Sequence, residues 1–190
     1  MDNIPGSQAN NDNGFDDWGE SSNKPNKKQK EEVKPEAAPR DEVSGLDNDY
    51  QVTSLSWNCN GSTIVLAYGK TNHTSWCEHL SVLCLWSVFR RDFNPRKATT
   101  TIEVSSCVTQ VSFHPTDPVI LAGGTMNGEI YFWNISQEEP QIAVSPIDEY
   151  FHREAITKLI WVRQESLTSM QVKVSLISTS TDGKILFWRY

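Results

Sequence analysis

The sequence STSTDGKILFW, residues 178–188, has the pattern of a β-hairpin. A β-rich run leads into the pair Asp182-Gly183, and a second apolar run ends on Trp188. An Asp-Gly pair readily takes the positive φ angles that a two-residue turn between antiparallel strands requires. The stretch therefore predicts two paired strands, the second of which carries an aromatic residue at its end.

This pattern repeats along the chain. Two earlier runs also end on Trp: VLCLW at 82–86 and EIYFW at 129–133. A second series of similar runs precedes the Trp-ended ones, with starts 56 and 48 residues apart: VTSLSW at 52–57, VTQVSF at 108–113 and ITKLIW at 156–161. Short strands in a unit that repeats about every 50 residues are typical of the blades of a β-propeller.

The predicted fold is all-β, a partial propeller of about three blades in which the third lacks its outer strand. We expect the blades at about 50–106, 107–150 and 151–190. The predicted strands are 52–57, 63–69, 81–88 and 99–105, then 108–113, 119–124, 129–135 and 141–145, then 156–162, 172–180 and 184–189. Closed propellers hold typically 4–8 blades. We therefore expect a truncated product, a partial gene model or one part of a longer protein, with apolar faces exposed on both end blades.

Residues 1–49 differ in composition from the remainder. They hold twelve Asp and Glu against six Lys and Arg, whereas residues 50–190 hold twelve against eleven. With few apolar residues and several prolines, the first segment is predicted to be a disordered tail. The nearly neutral charge of the second segment argues against nucleic-acid binding. No apolar run approaches the ~18–20 residues that a membrane span needs, so no membrane partner is expected.

The tail contains one candidate docking motif, FDDWGE at 15–20, in which Phe15 and Trp18 lie among acidic residues. The lysine patch KKQK at 27–30 is interpreted as solvated charge, with a nuclear import signal as the alternative. In the folded part, Arg90 and Arg91 belong to a small basic rim that is a candidate partner contact.

Three residues of the insertion KTNHTSWCEHL, 70–80, offer metal-ligand chemistry: His73, Cys77 and His79. A structural zinc site needs four ligands in a tetrahedral array. Cys59 or Cys84 would serve as the fourth only if the hairpin folded back. A polar loop anchored by Trp76 is therefore the favoured interpretation, and no metal is assigned. No glycine-rich phosphate loop or paired carboxylates suggest a cofactor or a catalytic site.

A Trp at the end of the third strand and an Asp-Gly turn before it resemble the WD40 family. That family has a buried hydrogen-bond network to which the third blade supplies matching residues: His152, Ser178, Asp182 and Trp188. The resemblance implies a structural tetrad in which each polar atom finds a partner. A Ser-His-Asp set also invites a catalytic triad, but no G-x-S-x-G elbow is present. The second blade departs from the pattern at Asn127 and Gly123, so we expect it to rely on packing alone.

More narrowly, FHPTDPVILAGGTMNGEIYFWNIS (113–136) and LISTSTDGKILFW (176–188) resemble the dynein intermediate chain family. The segment YQVTSLSWNCNGSTIVLAYGKTNHTSWC (50–77) is similar to members from cytoplasmic dynein 2, the retrograde motor of intraflagellar transport. The resemblance covers about residues 50–190. It implies a non-catalytic scaffold subunit, whose propeller docks on a dynein heavy chain and which works beside a second intermediate chain. The expected location is the cytoplasm and cytoskeleton, including the cilium, its axoneme and the basal body.

In that family an N-terminal extension binds dynein light chains. The tail here is short and has no T-Q-T-type motif, and the pair Thr109-Gln110 falls inside a predicted strand. These features argue against light-chain binding. A generic WD40 adaptor outside the dynein complex is the alternative function, and a hydrolase using His152 and Ser178 is the third class considered and rejected.

Overall fold

The computed structural model describes residues 49–73, 75–146, 150–165 and 172–189. The predicted tail, and with it Phe15 and Trp18, lies outside the described residues, apart from Asp49. Within the described residues the chain forms antiparallel β-sheets and no helix. The all-β prediction is therefore confirmed.

Three sheets are formed by strands that follow one another in sequence. The first has the order β1-β2-β3-β4: β1 (Gln51–Trp57), β2 (Thr63–Gly69), β3 (Ser81–Ser87) and β4 (Thr100–Val104). The second has the order β5-β6-β7-β8: β5 (Val108–Phe113), β6 (Ile120–Thr125), β7 (Ile130–Asn134) and β8 (Gln141–Val144). The third has three strands: β9 (Ile156–Glu165), β10 (Val172–Ser180) and β11 (Ile185–Trp188), in the order β11-β10-β9.

The strand positions follow the sequence pattern closely, because turn residues mark where each strand must end. Among the described residues, three glycines in turns between consecutive strands have positive φ angles: Gly61 at 70°, Gly128 at 87° and Gly183 at 80°. Residues other than Gly, Asn and Asp rarely adopt this region of backbone conformation. The turns therefore pin the register of the strands on either side.

The first two sheets pack face to face through a continuous apolar core. Residues of β2, β3 and β4 meet residues of β5, β6 and β7 in this core, among them Val65, Leu83, Val111, Leu121 and Trp133. Trp133 is only 1% exposed, and its ring lies parallel to that of Tyr131 at 5.5 Å between centroids. The alternate residues of each strand that face this core are the apolar ones, as half-buried strands require.

The second and third sheets share another core, formed by Ala122, Ile130, Phe132, Ile156, Leu159 and Leu176. A glycine pair inside β6 makes room on both faces of the second sheet. A Cβ atom on Gly123 would lie 2.5 Å from the Trp133 ring, and one on Gly124 would lie 2.5 Å from Ile156. The pair lies within the inner strand β6 and permits the close approach of one residue from each core.

The Thr of the first two repeats, Thr53 and Thr109, joins neighbouring sheets. The hydroxyl of Thr53 donates to the carbonyl oxygen of Ala67 in its own sheet and to that of Val108 in the next. Thr109 repeats this arrangement with Gly124 and Ile156. These two Thr residues thus link the start of one sheet to the start of the following sheet.

Apolar side chains remain exposed on the two outer sheets. On β1, Leu55 is 58% and Trp57 is 49% exposed, and on β11, Ile185 is 61% and Phe187 is 70% exposed. The same positions of the second sheet are buried. Val111 and Phe113 of β5 pack against the first sheet, and Ile130 and Phe132 of β7 pack against the third. Single exposed apolar residues are ordinary, but a row of them on one sheet face is a surface suited to packing.

Candidate functional site

The third sheet brings the four predicted tetrad residues into one hydrogen-bonded chain. Nδ1 of His152 lies 3.3 Å from both carboxylate oxygens of Asp182, and its Nε2 lies 2.7 Å from Oγ of Ser178. The indole Nε1 of Trp188 donates to the same Oγ at 2.7 Å. His152 and Ser178 are both completely buried.

Burial lowers the pKa of His152 below its usual value, and this effect outweighs the Asp182 hydrogen bond and charge, which raise it. The imidazole is therefore neutral at neutral pH. With one proton to place, the consistent assignment has Nδ1–H donating to Asp182 while Nε2 accepts from the Ser178 hydroxyl. Ser178 then donates one hydrogen bond and accepts one, so both of its roles are used.

The carboxylate at the turn is held by backbone groups as well as by the imidazole. Burial raises the pKa of Asp182, but the backbone N–H groups of Lys184 and Arg153 and the His152 hydrogen bond together lower it below its usual value. The N–H groups donate to Asp182 at 2.9 Å and 3.0 Å, respectively. Asp182 therefore fixes the turn, the entry to β9 and the imidazole at the same time.

This arrangement supports a structural interpretation of the four residues. Ser178 is enclosed and already engaged by two partners, so its oxygen cannot reach a substrate without dismantling the sheet. A nucleophile needs an open approach and donors placed for the developing oxyanion. We infer that the network stabilises the third sheet.

The equivalent positions in the other two sheets are filled differently. From the strand register, Gly123 and Leu66 occupy the places that correspond to Ser178. In the second sheet the Trp133 ring occupies the space above Gly123. In the first sheet, Nε1 of Trp86 is buried and has no hydrogen-bond partner among the described residues. The polar network is thus a feature of the third sheet.

The expectation that the second sheet relies on packing alone is wrong. The side chain of Asn127 accepts from the backbone N–H of Cys77 at 2.8 Å and donates to the carbonyl oxygen of Cys77 at 2.9 Å. Asn127 therefore replaces the Asp of the third sheet with an amide that clamps the insertion at 70–80. Because the two residues are 50 positions apart, no local pattern in the sequence signals this contact.

The candidate partner contacts Arg90 and Arg91 lie in the exposed connection between β3 and β4. Arg90 makes a bidentate ion pair with Asp92, at 2.9 Å from each nitrogen, and both side chains are exposed. An exposed pair of this kind adds little stability. Phe89, in the same connection, is 78% exposed, so this surface is apolar as well as charged.

The insertion at 70–80 is ordered by contacts that the sequence did not predict. Trp76 is 57% exposed, so it does not anchor the loop as expected. Instead, the loop places His73 and Cys77 beside Cys107, and the ligand atoms of these three residues lie within 4.8 Å of one another. Cys59 is exposed and Cys84 is buried within β3, and neither belongs to this group. Burial raises the pKa of Cys84 to about 11.

Among the described residues, no helix has the length and apolarity that crossing a bilayer requires.

Comparison with known proteins identifies related sequences. Residues 66–183 match the family model described as the dynein axonemal intermediate chain 3 WD40 domain. The chain is 34% identical over 139 residues to cytoplasmic dynein 2 intermediate chain 2 of Homo sapiens, covering 73% of this chain and 25% of that protein. It is 27% identical over 138 residues to the ciliary dynein intermediate chain 3 of Heliocidaris crassispina, covering 72% of this chain and 21% of that protein. The chain thus spans about a quarter of the length of these relatives.

Solved structures show the same fold. The crystal structure of Saccharomyces cerevisiae Sqt1 superposes with a TM-score of 0.54 at 17% identity, covering 76% of this chain and 32% of that chain. A chain of the mitotic checkpoint complex gives 0.52 at 19% identity, covering 75% of this chain and 35% of that chain. These likenesses concern the fold alone, and they agree with the match of residues 66–183 to a WD40 domain, whose repeats form the blades of a β-propeller.

Proposed function

Since this chain belongs to the dynein intermediate chain family, we propose that it is a non-catalytic scaffold subunit of a dynein complex. It binds a dynein heavy chain through its propeller and contributes to retrograde intraflagellar transport and cilium assembly. The observation that carries the proposal is the match over residues 66–183, together with likeness to a cytoplasmic dynein 2 intermediate chain over 139 residues.

The geometry supports a scaffold. Side chains in the strands pack between the sheets or form hydrogen bonds between them, such as that from Thr109 to the carbonyl oxygen of Ile156. The four-residue network is enclosed and has no opening for a substrate. A surface built from rigid sheets and exposed connections is the usual way in which repeat and propeller folds hold partners.

Within this function, the connection that carries Phe89, Arg90 and Arg91 is the proposed contact with the heavy chain. An exposed aromatic ring beside guanidinium groups suits an amphipathic helix with acidic residues, since Arg and aromatic residues are enriched at interfaces. The second intermediate chain of the complex is a further proposed partner, and the cytoplasm, the axoneme and the basal body are the proposed locations. Light-chain binding is not proposed, because Thr109 and Gln110 lie inside β5 with the Thr109 hydroxyl bonded to two carbonyl groups.

The test is affinity purification of the tagged chain from ciliated cells, followed by quantitative mass spectrometry. We expect dynein heavy chain and a second intermediate chain to be enriched. The double charge reversal of Arg90 and Arg91 to Glu should reduce heavy-chain recovery, whereas the matched change Lys173→Glu, on the third sheet, should leave it unchanged. Equal recovery with both variants would remove the assignment of the contact to this connection.

The alternative, a WD40 adaptor outside dynein, makes a different prediction in the same cells. It requires nuclear accumulation that is lost when Lys27 and Lys28 are changed to Ala. Nuclear localisation together with no heavy chain in the purified material would replace the dynein proposal.

A further inference from the structure

We propose that His73, Cys77, His79 and Cys107 form a structural zinc site. It joins the insertion at 70–80 to the residues that enter β5. This inference rests on the geometry of these side chains and is independent of the proposed dynein function.

Three of the four side chains are already assembled around one point. The ligand atoms of His73, Cys77 and Cys107 lie within 4.8 Å of one another. Zinc bonds of about 2.3 Å to sulfur and 2.0–2.1 Å to nitrogen, at tetrahedral angles, place neighbouring ligand atoms about 3.5–3.8 Å apart. Small side-chain rotations therefore suffice to bring these atoms to zinc-ligand distances.

His73 supports the assignment through its lack of other partners. Both of its ring nitrogens are buried, and neither has a hydrogen-bond partner among the described residues. A buried imidazole with two unsatisfied nitrogens is costly and requires an explanation. A metal ion bonded to one of these nitrogens satisfies that nitrogen.

His79 provides the fourth ligand. Its Nδ1 lies 4.0 Å from Sγ of Cys77, and its ring centroid lies 5.3 Å from that of His73 at an interplanar angle of 74°. Two imidazoles that bind one tetrahedral zinc ion have centroids about 5 Å apart, as the Zn–N bond length and the tetrahedral angle imply. The spacing of the two rings therefore matches two ligands of one ion.

Each of the two sulfur atoms accepts a hydrogen bond from a backbone N–H group, an arrangement that suits a metal-bound thiolate. The N–H of Cys107 donates to Sγ of Cys77 at 3.3 Å, and the N–H of Lys70 donates to Sγ of Cys107 at 3.3 Å. The Asn127 side chain bonds both the backbone N–H and the carbonyl oxygen of Cys77. Outer groups of this kind orient ligands and tune their affinity for the metal.

The donor set favours zinc over other common ions. Two thiolates and two imidazoles are the Cys₂His₂ set of closed structural zinc sites, whereas magnesium and calcium prefer oxygen ligands. Two thiolates also balance the charge of the ion, which matters because Cys77 and Cys107 are buried. A closed four-ligand site implies a structural role, in which the ion ties the first sheet to the start of the second.

The experiment measures bound metal on the whole 190-residue chain purified under reducing conditions with zinc supplied during expression. We expect about one zinc ion per chain by elemental mass spectrometry. The variants Cys77→Ser, Cys107→Ser and His73→Ala should lose the zinc, while the matched control Cys59→Ser, which removes an exposed cysteine outside the cluster, should retain it. His79→Ala should bind zinc at least about tenfold more weakly.

Asn127→Ala tests the positioning role of the amide that clamps Cys77. This variant keeps all four ligands, so we expect it to retain a zinc site whose affinity is about 10–100-fold lower. Unchanged affinity would show that Asn127 stabilises the loop without orienting a metal ligand.

Two measurements on the unmodified chain guard against variants that fail to fold. Replacement of zinc by Co²⁺ should give the thiolate-to-cobalt charge-transfer absorption of a two-sulfur tetrahedral site. Alkylation followed by peptide mapping should modify Cys59 at once, but Cys77 and Cys107 only after a chelator removes the metal. Burial alone would protect both thiols with or without chelator.

Three results would overturn the inference: a folded chain without stoichiometric zinc, thiol reactivity that does not depend on the chelator, or a mass lower by two hydrogens with Cys77 and Cys107 joined as a disulfide. Full zinc retention by His79→Ala would overturn the four-ligand assignment.

Discussion

The indole nitrogen of Trp188 donates a hydrogen bond of 2.7 Å to the hydroxyl oxygen of Ser178. Because Ser178 is completely buried and also bonded to His152, its hydroxyl joins β11 to the segment that leads into β9. The contact shows how one small polar residue can organise two aromatic rings and a turn.

Replacing Ser178 by Ala should destabilise the protein more than an ordinary surface change. It leaves a ring nitrogen of the fully buried His152 and the N–H of the partly buried Trp188 without their shared partner, and a buried group left unsatisfied costs about 1–3 kcal/mol. Chemical denaturation followed by Trp fluorescence measures the loss. The control is Ser175→Ala, a half-buried serine of the same strand, for which we expect a change within about 0.5 kcal/mol. Equal losses for the two variants would contradict the proposed role of the network.

Stability should fall as the pH drops below about 6.5, the usual pKa of histidine. Burial lowers the pKa of His152 in the folded state, so the unfolded chain takes up a proton first and acid favours unfolding. Burial lowers the pKa of His114 in the same direction. The loss begins near the unfolded pKa and continues until the pH passes the lower folded pKa.

The free energy of unfolding measured at several pH values tests this dependence. His152→Gln should flatten the curve in that range, and His114→Gln should flatten it independently. The low folded pKa of Asp182 adds a separate loss at pH values below about 3.9, since protonation of this carboxyl weakens its hydrogen bonds. A curve for His152→Gln that follows the original chain would show that the imidazole does not titrate as described.

Gly123→Ala should destabilise the second sheet by about 1–3 kcal/mol, the usual cost of overpacking a core. The added methyl group would lie 2.5 Å from the Trp133 ring, which is held between two sheets and cannot move aside freely. The double variant with Trp133→Leu should lose less stability than the sum of the two single changes, with a coupling of about 0.5–3 kcal/mol. Strict additivity would show that the two residues do not compete for this space.

Thr109→Val should weaken the joint between the second and third sheets. It removes the one hydroxyl proton that the carbonyl groups of Gly124 and Ile156 share in a bifurcated hydrogen bond, which is worth about 0.5–1.5 kcal/mol. The matched control is Thr157→Val, at the same position of the repeat, where the hydroxyl bonds within its own sheet, to Thr179. Thr109→Val should lower the midpoint temperature of thermal unfolding more than Thr157→Val does. The reverse order would contradict a role for Thr109 between the sheets.

Much of the fold could be predicted because its signals are local. Alternating apolar residues mark each strand, and an Asn-Gly or Asp-Gly pair marks each of the three turns at Gly61, Gly128 and Gly183. The hydrogen bonds of His152, Ser178, Asp182 and Trp188 form as the resemblance to the WD40 family implies, since strand register fixes which residues face each other.

The sequence by itself thus determined the strands and the turns, and its resemblance to a known family indicated the residues of the polar network. Only the tertiary structure decided that Asn127 clamps Cys77, that Trp133 covers Gly123 and that Cys107 joins His73 and Cys77. These contacts depend on how an irregular insertion lies against a neighbouring sheet, and that position results from packing between residues far apart in the chain. Local periodicity carries no information about such a contact, because it reports which face a residue occupies and not what covers that face.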